Sequence, residues 1–582
     1  MCGIIGYVGS EQAVPILSEG LKKLEYRGYD SAGLATISNE ISLQKNVGAV
    51  SDIISSLNVS PGKIGIAHTR WATHGGVTKQ NAHPHASASI VVVHNGIIEN
   101  YESLKKELVA GGCVFTSQTD SEVIPHLIEK YYVDNLEQAV IAASKKLEGS
   151  FAFLAISDKE KDKVVGVRKD SPLVVGLSSH GCFFASDVTP LIGKADRVVF
   201  MDDYEVAVAQ GSDVKFYHYL DDRVVSKQSS EIALSSESTG LNGFDHYMLK
   251  EILEQPLSIK QACAQDFLKL EKIAGEVLNA KRVFFVACGT SFHSALVGKQ
   301  LFSDSQKHSS VILGSEFDFS NELLNNESVV IAISQSGETA DVLSAVKKAK
   351  EKGAKVYSIV NVVGSSLDRY SDLSLYLNCG PEICVASTKA FTSQLVVLYL
   401  LANALIGKAM RAKDDLMELS ETLSGVLPYW GEKAEELSEN ISKQRDVYFI
   451  GKSTSYPVVL EGALKLKEIS YIHAEGMHAG ELKHGTMALI SQGTPVVMVN
   501  PVDDSFIHTL NNGLETKARG AFLIGLSEVE NSAYDFFVRV PKSVFPALMQ
   551  TIPLQLIAYY SALKLGRNPD KPRNLAKSVT VK

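Results

Sequence analysis

The feature that most constrains the fold is an internal repeat in the second half of the chain. The segment Val283–Phe292 aligns with Val447–Tyr456, and strand-like runs further along recur at offsets of 164 to 167 residues. That spacing is the length of a domain and too long for a solenoid repeat. Each copy alternates apolar runs with long helical periods, as parallel α/β sheets do. We therefore predict two copies of one doubly wound α/β domain, at residues 272–412 and 437–572.

The first part of the chain, residues 2–227, has a different pattern. Short apolar runs are broken by Gly, Asn and Asp, and strand-like runs such as Ile64–Ala67 and Phe151–Ile156 outnumber helical ones. This pattern indicates an α+β domain with many strands. The Ser-rich stretch 228–243, which holds few large apolar residues, is predicted to be a linker.

Composition and charge exclude several classes of partner. The net charge is −9 and no basic block occurs, so nucleic acid is an unexpected partner. The longest apolar stretch, near Leu395–Ile406, is too short to span a bilayer and indicates a buried helix. The first residues lack the basic and apolar regions of a signal peptide. We therefore expect a protein without a membrane segment.

Cysteine usage favours a cytoplasmic location. The seven cysteines are odd in number and irregularly spaced, which argues against a disulfide framework and favours a reducing, cytoplasmic location. Cys379 and Cys384 have no second close pair and no nearby pair of histidines. No metal site is predicted from that spacing.

Cys2 is the first candidate for chemistry. Once Met1 is removed, Cys2 carries both a thiol and a free α-amine. An α-amine has a reference pKa of about 7.7–8.0, so it can act as the base that activates the thiol. A buried structural cysteine would give the same sequence, so Cys2 alone is weak evidence.

Four residues beyond Cys2 strengthen this interpretation. The guanidinium of Arg70 suits a carboxylate, and Asp120 suits an α-ammonium group, so together they would hold a free amino acid. The amide of Asn95 and the backbone N–H of Gly96 are suitable donors to an oxyanion. A surface arginine, a helix-capping aspartate and an Asn-Gly turn are the structural alternatives. It is the combination that points to catalysis.

These motifs resemble those of class II glutamine amidotransferases and, more narrowly, of the glutamine–fructose-6-phosphate aminotransferase family in its compact bacterial form. The matching segments are Cys2-Gly-Ile-Ile-Gly, Tyr26-Arg-Gly-Tyr-Asp-Ser-Ala-Gly, His68-Thr-Arg-Trp-Ala-Thr-His-Gly, His94-Asn-Gly-Ile-Ile-Glu-Asn and Thr119-Asp-Ser-Glu. The resemblance implies an N-terminal-nucleophile fold, two stacked antiparallel sheets between helices. It implies Cys2 as the nucleophile of a thioester intermediate, with Asn95 and Gly96 in the oxyanion hole.

The same resemblance assigns residues to glutamine. It implies four ligands, Arg70, Thr73, His74 and Asp120, and it makes Trp71 the gate of an ammonia channel. For Trp71, a packed aromatic side chain is the alternative.

A second candidate site lies in the first α/β copy. Ser334, Gln335, Ser336 and Thr339 stand between a predicted strand and a predicted helix, with Gly337 among them. Helix N-termini expose unpaired N–H groups and favour phosphate, and glycine lets the backbone approach closely. Plain helix capping is the alternative for any single serine. The second copy has Asn-Pro-Val-Asp-Asp at the matching place, a poor phosphate cradle.

Acid–base groups occur in the second copy and in the tail. Glu461, Lys465 and Glu468 fall at i, i+4 and i+7, on one face of a predicted helix. A surface ion-pair row would have the same spacing. A further candidate in the second copy is His484, and the tail 573–582 contains Lys577. A lysine near a ketose carbonyl can form a Schiff base.

These segments also resemble the second half of that family, which carries two sugar-isomerase (SIS) domains. By the resemblance, Lys577 forms the imine with fructose 6-phosphate, Glu468 moves the proton between C1 and C2 with Lys465 assisting, and His484 of a neighbouring subunit opens the ring. The sugar phosphate would contact seven residues: Thr290, Ser291, Ser334, Gln335, Ser336, Thr339 and Ser387.

The resemblance implies transfer of the amide nitrogen of L-glutamine to fructose 6-phosphate by a homodimer, with no cofactor. A phosphoribosyl-diphosphate or asparagine-forming amidotransferase would need a phosphoribosyl-transferase or ATP-loop motif, and neither is found. A non-catalytic sugar-phosphate sensor would be expected to lack Lys577, Glu468 and the nucleophile. An amidotransferase for a different ketose phosphate remains the alternative.

Overall fold

The protein divides into two compact units. In a computed structural model, which describes residues 2–231 and 240–580, one unit comprises residues 1–240 with 576–582 and the other comprises residues 241–575. Half of the predicted linker 228–243, residues 232–239, lies outside the described residues, as do the last two residues of the predicted tail. The first four residues of the linker continue an extended segment that ends in a short strand.

The first unit contains fifteen strands and five α-helices among its described residues. The strands are β1 (Gly3–Gly9), β2 (Ser31–Ile37), β3 (Ile41–Val47), β4 (Ile64–Arg70), β5 (His85–Ala86), β6 (Ile90–Ile98), β7 (Gly149–Ser157), β8 (Glu160–Lys169), β9 (Val174–Ser178), β10 (Gly181–Ala185), β11 (Arg197–Phe200), β12 (Glu205–Gln210), β13 (Asp213–His218), β14 (Arg223–Val225) and β15 (Ser230–Glu231). The helices are α1 (Ala13–Leu24), α2 (Val50–Ser55), α3 (Tyr101–Ala110), α4 (Val123–Tyr131) and α5 (Leu136–Ser144).

These strands form two antiparallel sheets, in the orders β15-β11-β9-β10-β1-β4-β2-β3 and β14-β13-β12-β8-β7-β6-β5. Apolar side chains from both sheets, such as Ile66 of β4 and Leu154 of β7, share one buried core between them. Helix α1 packs on the outer face of the first sheet and α4 on the outer face of the second. The predicted arrangement of stacked antiparallel sheets between helices is confirmed, and it places Cys2 at the end of a central strand.

The second unit contains ten strands and eleven α-helices among its described residues. The strands are β16 (Arg282–Ala287), β17 (Ser310–Leu313), β18 (Ser328–Ser334), β19 (Lys355–Val360), β20 (Leu373–Tyr376), β21 (Asp446–Gly451), β22 (His473–His478), β23 (Pro495–Val499), β24 (Phe522–Ser527) and β25 (Phe536–Arg539). The helices are α6 (Tyr247–Leu253), α7 (Gln255–Ala262), α8 (Phe267–Asn279), α9 (Gly289–Asp304), α10 (Ala340–Glu351), α11 (Ser366–Tyr370), α12 (Lys389–Ala404), α13 (Ala409–Ile441), α14 (Ser455–Ser470), α15 (Phe506–Lys517) and α16 (Pro546–Lys564).

Both sheets of this unit are parallel and have the same strand order. It is β17-β16-β18-β19-β20 in the first copy and β22-β21-β23-β24-β25 in the second, so each sheet runs 2-1-3-4-5. The predicted duplication of a doubly wound domain is therefore confirmed. In such sheets ligands bind at the carboxyl ends of strands 1 and 3, where the strand order reverses. In the first copy, this switch point lies between β16 and β18.

The apolar stretch predicted to be a buried helix is α12, most of whose residues are buried. Its side chains pack with those of α9, α13 and α16 in the largest core of the unit. None of the helices in the described residues combines the length and the apolar character needed to cross a membrane.

Candidate active sites

The thiol of Cys2 is positioned by the register of β1 against β4. Gly3, the first residue of β1, pairs with Thr69, so Cys2 lies beside the end of β4 at Arg70. The backbone N–H of Trp71 donates a hydrogen bond to Cys2 Sγ at 3.2 Å. Burial raises the pKa of the Cys2 thiol, while the Trp71 N–H and the charge of Arg70 act in the opposite direction. Since burial dominates, the thiol needs a base to ionise at neutral pH.

Asn95 and Gly96 both lie in β6, next to Cys2. Asn95 Nδ2 donates to the carbonyl oxygen of Cys2 at 3.0 Å. Gly96 has a φ of +125°, and a Cβ there would come within 2.0 Å of the Ser150 carbonyl oxygen. Only glycine fits this backbone conformation. The two donors that the sequence predicted for an oxyanion are thus adjacent on one strand, and Asn95 contacts the backbone of Cys2.

The two charged residues predicted to bind glutamine, Arg70 and Asp120, are both buried. Arg70 is buried and donates to the carbonyl oxygens of His74, Gly75 and Gly76 at 2.6, 3.0 and 3.1 Å. Asp120 is also buried, and its Oδ2 accepts the N–H of Ile98 at 2.8 Å. Arg70 therefore holds the loop that follows it and keeps N–H groups for a carboxylate, since a guanidinium has five.

The remaining predicted glutamine residues lie in the loop after β4. Thr73 is exposed, and the His74 ring makes an edge contact with the Tyr101 ring, with 5.7 Å between centroids. Trp71 is half-buried, with its ring edge-on to Tyr29 at 5.6 Å. The same loop is held by Asp30, whose Oδ2 accepts the N–H of Ala72 at 2.9 Å.

Four buried histidines surround this site, and sequence reasoning did not single them out. They are His68, His83, His85 and His94, with ring centroids 4.1 Å apart for the first pair and 4.6 Å for His83 and His85. Burial lowers the pKa of His68 to about 3 and that of His94 to about 4, and it lowers the pKa of His83 and His85 as well. All four rings are therefore neutral at pH 7.

These histidines are expected to make the first unit sensitive to acid. Below the unfolded pKa of about 6.5, the unfolded chain binds protons that the folded chain does not, so stability falls as pH falls. Between pH 6.5 and 5, His68 and His94 would each cost about 2 kcal/mol of stability, at about 1.4 kcal/mol per pH unit. During incubation at pH 5, glutamine hydrolysis should be lost faster than the isomerisation reaction of the second unit.

A matched pair of variants checks this cause. His85→Gln removes one buried titrating group and should weaken the dependence of thermal inactivation on pH. His180→Gln changes an exposed histidine and should leave that dependence as it is. Equal slopes for both variants and the parent chain would contradict the assignment.

In the second unit, the predicted phosphate loop joins β18 to α10 at the switch point of the sheet. Ser334 Oγ accepts the N–H of Gly337 at 3.1 Å and lies 3.1 Å from Thr339 Oγ1. Gly337 has a φ of +66°, and a Cβ there would approach Ser365 Oγ to 2.1 Å. The loop therefore needs glycine, and it precedes a helix N-terminus, where backbone N–H groups favour phosphate.

Other predicted sugar-phosphate residues are also found at this edge of the first copy. Thr290 and Ser291 lie in the first turn of α9, directly after β16, and Ser291 Oγ accepts from Gln394 Nε2 at 2.9 Å. Ser387 Oγ donates to the buried carboxylate of Glu382 at 2.9 Å. Glu382 also accepts the N–H of Thr388 at 2.9 Å, which fixes the loop that carries Ser387.

A buried ionic network joins α9 of the first copy to α14 of the second. Lys465 Nζ lies 3.3 Å from Glu461 Oε1, 2.6 Å from Glu468 Oε2 and 3.1 Å from Thr290 Oγ1. Burial opposes the charge of Lys465, but the two carboxylates outweigh it and raise its pKa. Lys465 is therefore a cation at neutral pH and cannot act as a base. Glu468, its partly accessible neighbour, can.

His293 belongs to this network, and sequence reasoning missed it. Its Nδ1 lies 2.7 Å from Glu461 Oε2. The signal was its position three residues after Thr290, which puts both side chains on one face of α9.

The other two predicted catalytic residues are His484 and Lys577. His484 is exposed at the end of a 3₁₀ helix, Ala479–His484. Lys577 belongs to the segment that groups with the first unit. Within the described residues, no cluster of three or more His, Cys, Asp or Glu side chains is arranged to hold a metal ion.

Comparison with known proteins decides the family. A glutamine amidotransferase domain model matches residues 68–193, and an SIS domain model matches residues 276–404 and 440–565. The chain is 46% identical to a glutamine–fructose-6-phosphate aminotransferase (isomerizing) of Thermococcus kodakarensis, over 100% of both chains. It is 43% identical to the protein of that name from Clostridium tetani, again over 100% of both. The chain belongs to the glutamine–fructose-6-phosphate aminotransferase family.

A solved structure extends this result to the fold of the second unit. The C-terminal domain of the glucosamine-fructose-6-phosphate aminotransferase of Francisella tularensis is 34% identical, with a TM-score of 0.54, and it covers 57% of this chain and 100% of its own. As a member of the family, the chain is an aminotransferase with a glutamine amidotransferase domain and two SIS domains. The second SIS copy ends its third strand at a buried Asn500 followed by Pro501, and Asn500 Nδ2 donates to the Tyr534 hydroxyl at 3.3 Å. It therefore differs from the serine-rich loop of the first copy.

Proposed function

We propose that this chain transfers the amide nitrogen of L-glutamine to fructose 6-phosphate with isomerisation, giving glutamate and glucosamine 6-phosphate. The observation that carries the proposal is the presence on one chain of two chemically distinct sites. One places the Cys2 thiol beside the Trp71 N–H, and the other places the Lys465 cation against Glu468. The full-length relatives carry this name, so they favour fructose 6-phosphate over a different ketose phosphate.

In the glutaminase half, the Cys2 thiolate attacks the amide carbon of glutamine, with the α-amine of Cys2 as the base. The negative oxygen of the tetrahedral intermediate would be stabilised by Asn95 Nδ2, which lies 3.0 Å from the Cys2 carbonyl oxygen, and by the N–H of Gly96, the next residue of β6. Ammonia leaves, and water then hydrolyses the thioester to glutamate. Arg70 would bind the substrate carboxylate and Asp120 its ammonium group, with Thr73 and His74 lining the pocket. Because Arg70 and Asp120 are buried, their contacts with the carboxylate and the ammonium group would be stronger than at the surface.

In the sugar half, the phosphate would lie against the loop from Ser334 to Thr339 and the first turn of α9. Lys577 would form an imine at C2 of the open-chain ketose, and ammonia would replace the lysine there. Glu468 would then move a proton from C1 to C2. Lys465 Nζ lies 2.6 Å from Glu468 Oε2 and would hold that carboxylate in position.

The wider setting of the reaction is also part of the proposal. We expect a cytoplasmic homodimer in which His484 of the neighbouring chain opens the sugar ring, and the exposure of His484 is compatible with that. We expect Trp71 to gate an ammonia channel, because its backbone N–H bonds to the nucleophile and its side chain is only half-buried. Thiol, imine and acid–base chemistry suffice, so no cofactor is expected.

The direct test uses glutamine labelled with ¹⁵N at the amide. With fructose 6-phosphate present, the purified chain should form ¹⁵N-labelled glucosamine 6-phosphate, measured by mass. Labelled ammonia without labelled amino sugar would retain the glutaminase half and overturn the sugar substrate.

The phosphate loop gives a separate prediction. Gly337→Ala should raise the KM for fructose 6-phosphate by roughly tenfold or more, because the new Cβ displaces the loop that binds phosphate. Glutamine hydrolysis should be unchanged. Gly353→Ala is the control: its φ is also positive, at +81°, but the nearest atom to its Cβ is 3.8 Å away. If the control raises KM equally, the effect is general strain in the domain and the loop assignment is wrong.

A further inference from the structure

His68 is completely buried in β4, two residues before Arg70. Its Nε2 lies 2.9 Å from the carbonyl oxygen of His94 and 3.1 Å from Asn95 Oδ1. Both of these partners are oxygens that only accept hydrogen bonds. Nε2 must therefore carry the proton, which fixes the tautomer of the ring.

The tautomer of His68 in turn fixes the side-chain amide of Asn95. Because Oδ1 accepts from His68, the NH₂ group of Asn95 has to point the other way, where Nδ2 donates to the Cys2 carbonyl oxygen at 3.0 Å. Rotating the amide by 180° would bring its NH₂ against the N–H of His68. Two donors would then face each other in a buried site, an arrangement that native structures avoid.

The surroundings keep His68 in this one state. Its ring stacks on that of His83 at 4.1 Å with an interplanar angle of 13°. Among the described residues, Nδ1 has no hydrogen-bond partner, which suits an unprotonated nitrogen. Burial lowers the pKa of His68 to about 3, so the ring does not become a cation under working conditions.

We propose that His68 is a positioning residue for glutamine hydrolysis: it selects the orientation of the Asn95 amide that presents an N–H to the developing oxyanion. The inference rests on the proposed role of Asn95 as an oxyanion donor. Within the described residues, the His68 side chain bonds to His94 and Asn95 and makes no hydrogen bond to the thiol or to the predicted ligands of the amino acid. It therefore acts on kcat and leaves the affinity for glutamine unchanged.

Two variants of His68 separate donation from packing. His68→Met keeps an apolar body of similar size and removes the donor, whereas His68→Gln keeps an N–H that can reach the same oxygens. The Met variant should lower kcat for glutamine hydrolysis by roughly 10- to 100-fold, with KM within about twofold, since loss of one oxyanion donor costs about 10²–10³. The Gln variant should recover at least part of the loss. An electrophilic glutamine analogue that labels Cys2 gives the concentration of folded sites. Dividing the rate by that concentration keeps misfolded chains from lowering the apparent kcat.

A double-mutant cycle with Asn95→Ala completes the test. If His68 acts through Asn95, then His68→Met combined with Asn95→Ala should be no slower than Asn95→Ala alone. If the losses of kcat from His68→Met and Asn95→Ala multiply in the double variant, the inference is overturned and His68 is a packing residue. Equal losses of kcat in His68→Met and His68→Gln would have the same meaning. A wild-type kcat in Asn95→Ala alone would instead overturn the oxyanion role of Asn95 in the proposed function.

Discussion

Replacing Cys2 by alanine should abolish glutamine-dependent synthesis of glucosamine 6-phosphate and lower glutamine hydrolysis by roughly 1000-fold or more, because no other group can form the thioester. The conversion of fructose 6-phosphate to glucose 6-phosphate by the second unit should persist, since its acid–base groups are unchanged. Glutamate release, amino-sugar formation and isomerisation can be measured on the same preparation.

Cys113→Ala is the matched control for Cys2. Cys113 is also a half-buried cysteine of the first unit outside any disulfide, but it follows α3 and, in the part of the chain that the structure describes, forms no hydrogen bond with a site residue. The Cys113→Ala variant should hydrolyse glutamine at the parental rate. A Cys2→Ala chain that still released glutamate at more than a few per cent of the parental rate would mean that another nucleophile is used. Loss of isomerisation in the same variant would point to misfolding.

The sequence predicted features that depend on local spacing. The recurrence of strand and loop at offsets of 164 to 167 residues predicted two copies of one doubly wound domain. The two sheets do have the same strand order. The spacing of Glu461, Lys465 and Glu468 placed them on one face of a helix, and all three do lie on α14, with Lys465 within 3.3 Å of both carboxylates. In each case the relevant neighbours are four or fewer residues apart on one element, or are set by a repeated pattern.

Contacts between distant segments could not be read in this way. Thr290 and Lys465 meet across 175 residues, and His68 and Asn95 meet because two different sheets stack. The predicted role of Arg70 was based on its charge alone, and the structure adds that it also bonds three carbonyl oxygens of the loop after β4. Register and sheet stacking, which decide such contacts, are tertiary properties with no short-range signal.

Replacing Lys577 by alanine is expected to have the converse effect. Without the lysine no imine forms at C2, so amino-sugar synthesis should fall by roughly 1000-fold, about 4 kcal/mol of activation barrier. Glutamine hydrolysis should continue, because Cys2, Asn95 and Gly96 are untouched. Lys571→Ala is the control, since Lys571 is an exposed lysine six residues before Lys577 and its variant should keep full synthesis.

Borohydride trapping makes the Lys577 prediction specific to the imine. Hydride reduces a C=N bond to a stable secondary amine, so the parent chain incubated with fructose 6-phosphate should gain one sugar phosphate by mass, on the peptide that contains Lys577. Lys577→Arg keeps the positive charge, but its guanidinium stays protonated and cannot attack the carbonyl. It should neither trap the sugar nor make amino sugar. If it retains synthesis, the residue acts through its charge alone, and the buried Lys465–Glu468 pair would have to carry the whole proton transfer without an imine.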